Sequence, residues 1–289
     1  MMEFIKILNA IPVIQIILLQ LISFFCYALG LGENYYLSSF FQQTVAIFIP
    51  TYYFYELKND TAYLRKKDFE IDNKQNIILF AALGFSLQLT ASFVNSPIIM
   101  LFERIGLVPS GDVPVESAFD FFSAVLSICL LPSIFEETLF RKFIFNDLRM
   151  YSKNTAVLFS AVFFAISHMS FYSFGAMFFI GLVLGVLRAK EYPLIYMIIC
   201  HFFLNFSAIL VSLLLKSDFF NKFYYFFVLA SVLAAVYSFK KLNNKAEQLE
   251  FNYYEKPHMQ FINVISNPPY AIYIYIYIAV FIILGLINL

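Results

Sequence analysis

Two adjacent acids and an arginine, Glu136, Glu137 and Arg141, interrupt PSIFEETLFRKFIFN (132–146), a stretch apolar enough on both sides to lie within a membrane. Two of the three histidines, His168 in VFFAISHMS and His201 in HFFLN, sit in equally apolar surroundings, and Asn205 follows His201 by four residues. Carboxylates, imidazoles and a carboxamide can transfer protons, ligate a metal or donate to a developing charge. A charged side chain at the centre of a bilayer costs about 2.5–3.5 kcal/mol on insertion scales, so an intramembrane acid marks a functional site by default.

Helical spacing decides which of these groups share a face. Residues four apart are neighbours on a helix, which pairs Glu137 with Arg141 and His201 with Asn205. Glu136, about 100° round the same helix, is left for another task. Pro132 removes a backbone hydrogen bond four residues before Glu136, so a kink is expected where the acids enter. Counted from the basic helix ends at a rise of 1.5 Å per residue, Glu136 and His168 lie roughly 20 Å in and His201 roughly 17 Å, a common level near mid-membrane. That agreement requires Arg141 and Lys142 to be paired or in a polar cavity inside the membrane. Each feature alone has a plainer reading: a juxtamembrane charge cluster for the acids, interhelical glue for a lone histidine or asparagine, and packing for Phe164. Their convergence on one level favours a site.

The elements that must position these groups are membrane helices. The chain of 289 residues is 61% hydrophobic and 13% charged, with a mean hydropathy of +0.77; soluble domains carry about 25% charge. Apolar runs near 8–31, 38–57, 77–102, 118–146, 155–172, 174–189, 192–215, 219–239 and 270–288 approach or exceed the roughly 20 residues that span a bilayer. The fold expected is an all-α polytopic bundle of eight or nine transmembrane helices around a polar cavity. The last run, with YAIYIYIYI, alternates like a strand, but an isolated strand cannot satisfy its backbone in lipid. The run after Lys6 is too long for a signal peptide and is read as a first membrane helix.

With the N-terminus cytoplasmic, sixteen of the nineteen basic residues fall on that side and only Arg104, Lys216 and Lys222 outside, as the positive-inside rule requires. Zero net charge and the absence of a basic tract or phosphate loop exclude a nucleic-acid partner. Cys26, Cys129 and Cys200 have no ligand spacing and read as packed thiols. His258 has no partner at useful spacing. Gly181 and Gly185 form a small-xxx-small pair that implies close helix contact. No internal repeat supports a transporter.

EETLFR (136–141), FAISH (164–168) and HFFLN (201–205) resemble the EExxxR, FxxxH and HxxxN motifs of the CPBP family, which comprises CAAX prenyl endopeptidases and bacterial Abi proteins linked to bacteriocin processing and self-immunity. The resemblance covers roughly 118–208, and it divides the chain into N-terminal helices (1–117), a catalytic core (118–208) and C-terminal helices with a cytoplasmic loop (209–289). It implies an intramembrane endopeptidase acting on a peptide or protein substrate at the lipid bilayer. In that reading Glu136 activates water with His168, His201 and Asn205 donate to the scissile carbonyl oxygen, and Glu137 with Arg141 supports the helix face. A metal version uses Glu136, His168 and His201 as a His₂Glu set for Zn²⁺; the metal-free version is preferred. A non-catalytic scaffold or immunity protein is the second reading and a transporter the third. Abundant Phe, Tyr, Ile, Asn and Lys suggest an AT-rich bacterial genome, hence a bacterial plasma membrane and a leader peptide, pheromone or bacteriocin precursor as substrate.

Overall fold

Every regular element of the computed structural model is a helix, among the residues it describes: 11–31, 34–52, 66–104, 115–149, 151–168, 170–244 and seven positions between 262 and 279. In order these are α1 (Ile11–Ala28), α2 (Tyr35–Phe41, widening over Gln42–Phe48 and running on to residue 52), α3 (Lys74–Arg104), α4 (Ala118–Leu148), α5 (Lys153–Ser167), α6 (Phe171–Ala189), α7 (Leu194–Leu214), α8 (Asp218–Lys222) and α9 (Tyr224–Asn243). Helices α3, α4, α6, α7 and α9 are long and apolar enough to cross a membrane. Of the expected segment 270–288 only positions 275, 276, 278 and 279 are described, and all four are helical. His258 lies outside the described residues.

One expected boundary moves. The segment 155–172 is not a single span, because α5 stops at Ser167 after 15 residues with His168 as its C-cap. The Ser170 hydroxyl then accepts the Ser173 amide at 3.3 Å and starts α6. A serine three residues before its amide partner is an N-cap signal that satisfies a free N–H of the new helix. His168 therefore sits in a turn between helices rather than within one.

Helix α4 starts from a capping box, with the Ser117 hydroxyl on the Asp120 amide and the Asp120 carboxylate on the Ser117 amide. Further along, Pro132 has no N–H to offer the Ile128 carbonyl four residues back. The helix responds by widening over Val125–Leu130, where the Leu131 amide reaches the Leu126 carbonyl five residues earlier. A second wide turn covers Thr138–Ile144, closed by Phe145 N–H on the Phe140 carbonyl. The kink expected at Pro132 thus takes the form of an open turn just before it, and the acids lie on the short α-helical segment between two such turns.

Helix α3 carries no motif yet packs against α6, α7 and α9. Its closest approach is at Gly84, where a Cβ would stand 2.0 Å from the Cys200 carbonyl oxygen. That atom belongs to the backbone of α7 one residue before His201, and it cannot swing away as a side chain would. Gly84→Ala is expected to destabilise the protein by about 1–3 kcal/mol through overpacking, with a loss of turnover because α7 shifts. Thermal unfolding in detergent checks this, and an unchanged melting temperature would contradict it. Gly181 makes the corresponding contact between α6 and α5, its missing Cβ 2.8 Å from Ala161 Cα.

The C-terminal half of α4 is held by a buried charge cluster. Asp68, in the short turn Lys66–Asp68, accepts from Lys142 Nζ and, at 3.2 Å, from Arg188 Nη2. Arg188 also donates to the Arg141 carbonyl at 3.1 Å and the Tyr192 carbonyl at 2.7 Å. Lys142 and Arg141 are both buried and both face a carboxylate, which is the arrangement the common depth of the motif residues requires.

Candidate active site

Glu136 and Glu137 close the segment Leu131–Glu137 of α4 and are buried. Being about 100° apart on the helix, they meet different partners. Glu136 faces α2 and the end of α5, and Glu137 faces α7.

The Glu136 carboxylate accepts a hydrogen bond from Gln43 Nε2 on Oε1 at 3.0 Å. Its Oε2 is buried with no hydrogen-bond partner among the described residues and lies 3.9 Å from His168 Nε2. The His168 ring is oriented from behind: Nδ1 donates to the Phe164 carbonyl at 2.8 Å. A carbonyl oxygen only accepts, so Nδ1 carries the hydrogen, and in the neutral ring Nε2 presents its lone pair. Two acceptors, Glu136 Oε2 and His168 Nε2, thus face one another beyond hydrogen-bond reach. A water reaching both atoms could donate one hydrogen to each.

Glu137 is the centre of a second arrangement. Its Oε1 accepts from His201 Nδ1 at 2.7 Å, and Arg141 Nε lies 3.2 Å from its Oε2. Neither Glu137 nor Arg141 has any exposed side-chain surface. The guanidinium rests on the Phe164 ring, Cζ 4.3 Å from the centroid. The same ring stands edge-on to His168 at 4.8 Å, His201 at 5.8 Å and Phe140 at 5.4 Å between centroids. Phe164, expected only to pack, supplies a carbonyl to one imidazole and a face to the arginine.

Asn205 is turned elsewhere. Its Nδ2 donates to the Ile128 carbonyl at 2.8 Å, the carbonyl that Pro132 leaves without a helical partner. The amide therefore ties α7 to the wide turn of α4. The structure brings Glu136 to His168 and brings Glu137, Arg141 and His201 together, with Asn205 one turn along α7.

The members of the His₂Glu set considered for Zn²⁺ have different nearest partners. Glu136 meets His168, His201 meets Glu137, and the Phe164 ring stands against both imidazoles. Among the described residues no three His, Cys, Asp or Glu side chains are grouped to hold a metal ion.

Gln43 is the contact that sequence reasoning missed. It stands beside Gln42 and Thr44 in an otherwise apolar run, a visible polar interruption. Three adjacent polar residues point in three directions, and only the geometry of the widened turn says which of them reaches α4.

Residues 118–207, from the start of α4 to within α7, match the family model described as type II CAAX prenyl endopeptidase Rce1-like. That segment contains all three motifs, and the match is to the family they resemble. Comparison with curated proteins and with solved structures found no match. Five helices long and apolar enough to cross a membrane, together with this match over 118–207, point to a multi-pass membrane protein with a segment similar to CAAX proteases.

Proposed function

We propose that this CAAX-protease-like membrane protein is an intramembrane endopeptidase in which Glu136 activates the attacking water. The observation that carries the reading is the buried, unpartnered Glu136 Oε2 opposite the lone pair of His168 Nε2 at 3.9 Å. A scaffold has no need of two aligned acceptors in a buried site.

In the reaction, water between the two acceptors gives a proton to Glu136 Oε2, and its oxygen adds to the carbonyl carbon of the scissile peptide. His168 orients the water through its second hydrogen. The carboxylate of Glu137 at Nδ1 stabilises the imidazolium of His201, whose Nε2–H donates to the carbonyl oxygen as that oxygen gains charge. Collapse of the tetrahedral adduct breaks the C–N bond, and the proton on Glu136 passes to the departing nitrogen. Asn205 holds α7 against α4 so that His201 is presented at the correct height. The substrate is a membrane-associated peptide, such as a leader peptide, pheromone or bacteriocin precursor. The protein lies in a bacterial plasma membrane with its N-terminus cytoplasmic.

The test is a library of fluorogenic peptides presented to the purified protein in proteoliposomes, with cleavage products identified by mass. Peptide bond hydrolysis supports the reading; transport or binding of peptides without cleavage overturns it. In this metal-free reading turnover is expected to be unchanged after chelation, a reading supported by Glu136 meeting His168 while His201 meets Glu137. Stoichiometric zinc whose removal abolishes turnover would overturn the metal-free mechanism.

A further inference from the structure

We propose that Gln43 of α2 is a positioning residue of the active site, holding one oxygen of the Glu136 carboxylate and so fixing the tilt at which the other faces His168. The proposal rests on the hydrolytic role given to Glu136 above.

A carboxylate is symmetric about its terminal torsion, and that torsion is broad and soft. Something must therefore fix the tilt at which a free oxygen meets the water. Gln43 Nε2 donates to Oε1 at 3.0 Å, and the amide cannot be turned round, since its oxygen would then face another acceptor. The Gln43 Oε1 itself is buried with no hydrogen-bond partner among the described residues. An interhelical glutamine serving as glue would use both ends of its amide; this one spends its donor on Glu136 and leaves its acceptor unused.

Two contacts bracket that hydrogen bond and hold α2 against α4. On one side Ser39 Oγ donates to the Ser127 carbonyl at 3.3 Å. On the other the Phe48 and Phe135 rings pack at 4.9 Å between centroids. Gln43 lies in the widened turn Gln42–Phe48, and such turns alter the angle at which a side chain leaves its helix. A helix outside the matched segment thereby contributes a side chain to the acid that does the chemistry.

The experiment compares wild type, Gln43→Leu, Gln43→Asn and Glu136→Gln in the same proteoliposome assay, using the best fluorogenic peptide found for the wild type. Leucine keeps the bulk and removes the donor; asparagine keeps the amide and withdraws it by one methylene. Both Gln43 variants are expected to lose about 10–100-fold in kcat, the usual effect of removing a group that orients another, with KM unchanged because Gln43 does not touch substrate. Wild-type kcat in either variant overturns the proposal, as does a loss confined to KM. Should the leucine variant fail to fold, the asparagine variant decides alone. No turnover by wild type would mean that the hydrolase reading had failed, whereas turnover lost in Glu136→Gln but kept in both Gln43 variants would mean that only the positioning role had failed.

Discussion

Replacing Glu136 by alanine is expected to lower peptide turnover by about 10³-fold or more, since a positioned general base contributes 10²–10⁴-fold and in the proposed mechanism the same side chain also holds the water. The fold is expected to survive. Glu136 carries no ion pair with Arg141, whose closest carboxylate is Glu137 at 3.2 Å, so no buried cation is abandoned. The loss belongs in kcat, with circular dichroism and melting temperature close to wild type, and product release from a quenched peptide is the measurement. A scaffold or immunity protein behaves oppositely, because partner binding and phenotype depend on surface and survive Glu136→Ala. Cleavage within tenfold of wild type in this variant would remove Glu136 from the mechanism.

The sequence predicts the acids, the imidazoles and most of the helices for one physical reason. Lipid demands long uncharged runs, so every departure from them is conspicuous. Glu136, Glu137, Arg141, His168 and His201 are conspicuous in that sense, and so is Pro132. The partner of Asn205 is also readable in principle, since a proline at 132 leaves the Ile128 carbonyl without its helical donor. What length and hydropathy do not reveal is direction. The i, i+4 rule pairs Glu137 with Arg141, but it does not say that His201 joins Glu137 rather than Glu136, because that depends on the azimuth of α7 against α4. The end of α5 at Ser167 is hidden because no proline or glycine marks it. Asp68 lies between the expected spans 38–57 and 77–102, and nothing local shows that it turns inward to Lys142 and Arg188. Gln43 is obscured by two polar neighbours. In each case the missing quantity is a rotation or a tertiary contact.

Glu137→Ala is expected to destabilise the protein by about 3–5 kcal/mol, the usual cost of removing one partner of a buried ion pair. Arg141 has no solvent exposure, its Nη1 and Nη2 have no hydrogen-bond partner among the described residues, and besides Glu137 it rests on the Phe164 face. Without the carboxylate its charge is left in a low-dielectric interior, and His201 loses the acceptor at Nδ1 that orients its ring. Stability and catalysis separate in the double variant Glu137→Leu with Arg141→Leu. Removing both charges exchanges a buried pair for apolar volume, a change that is often neutral or stabilising, so most of the lost stability should return. Turnover should remain roughly 10²-fold below wild type, because the imidazole is still unoriented. Denaturant unfolding in mixed micelles measures the first effect and peptide cleavage the second. A single variant as stable as wild type would show that Arg141 does not depend on Glu137. A fully active double variant would show that the carboxylate serves only to neutralise the arginine, leaving His201 to act without it.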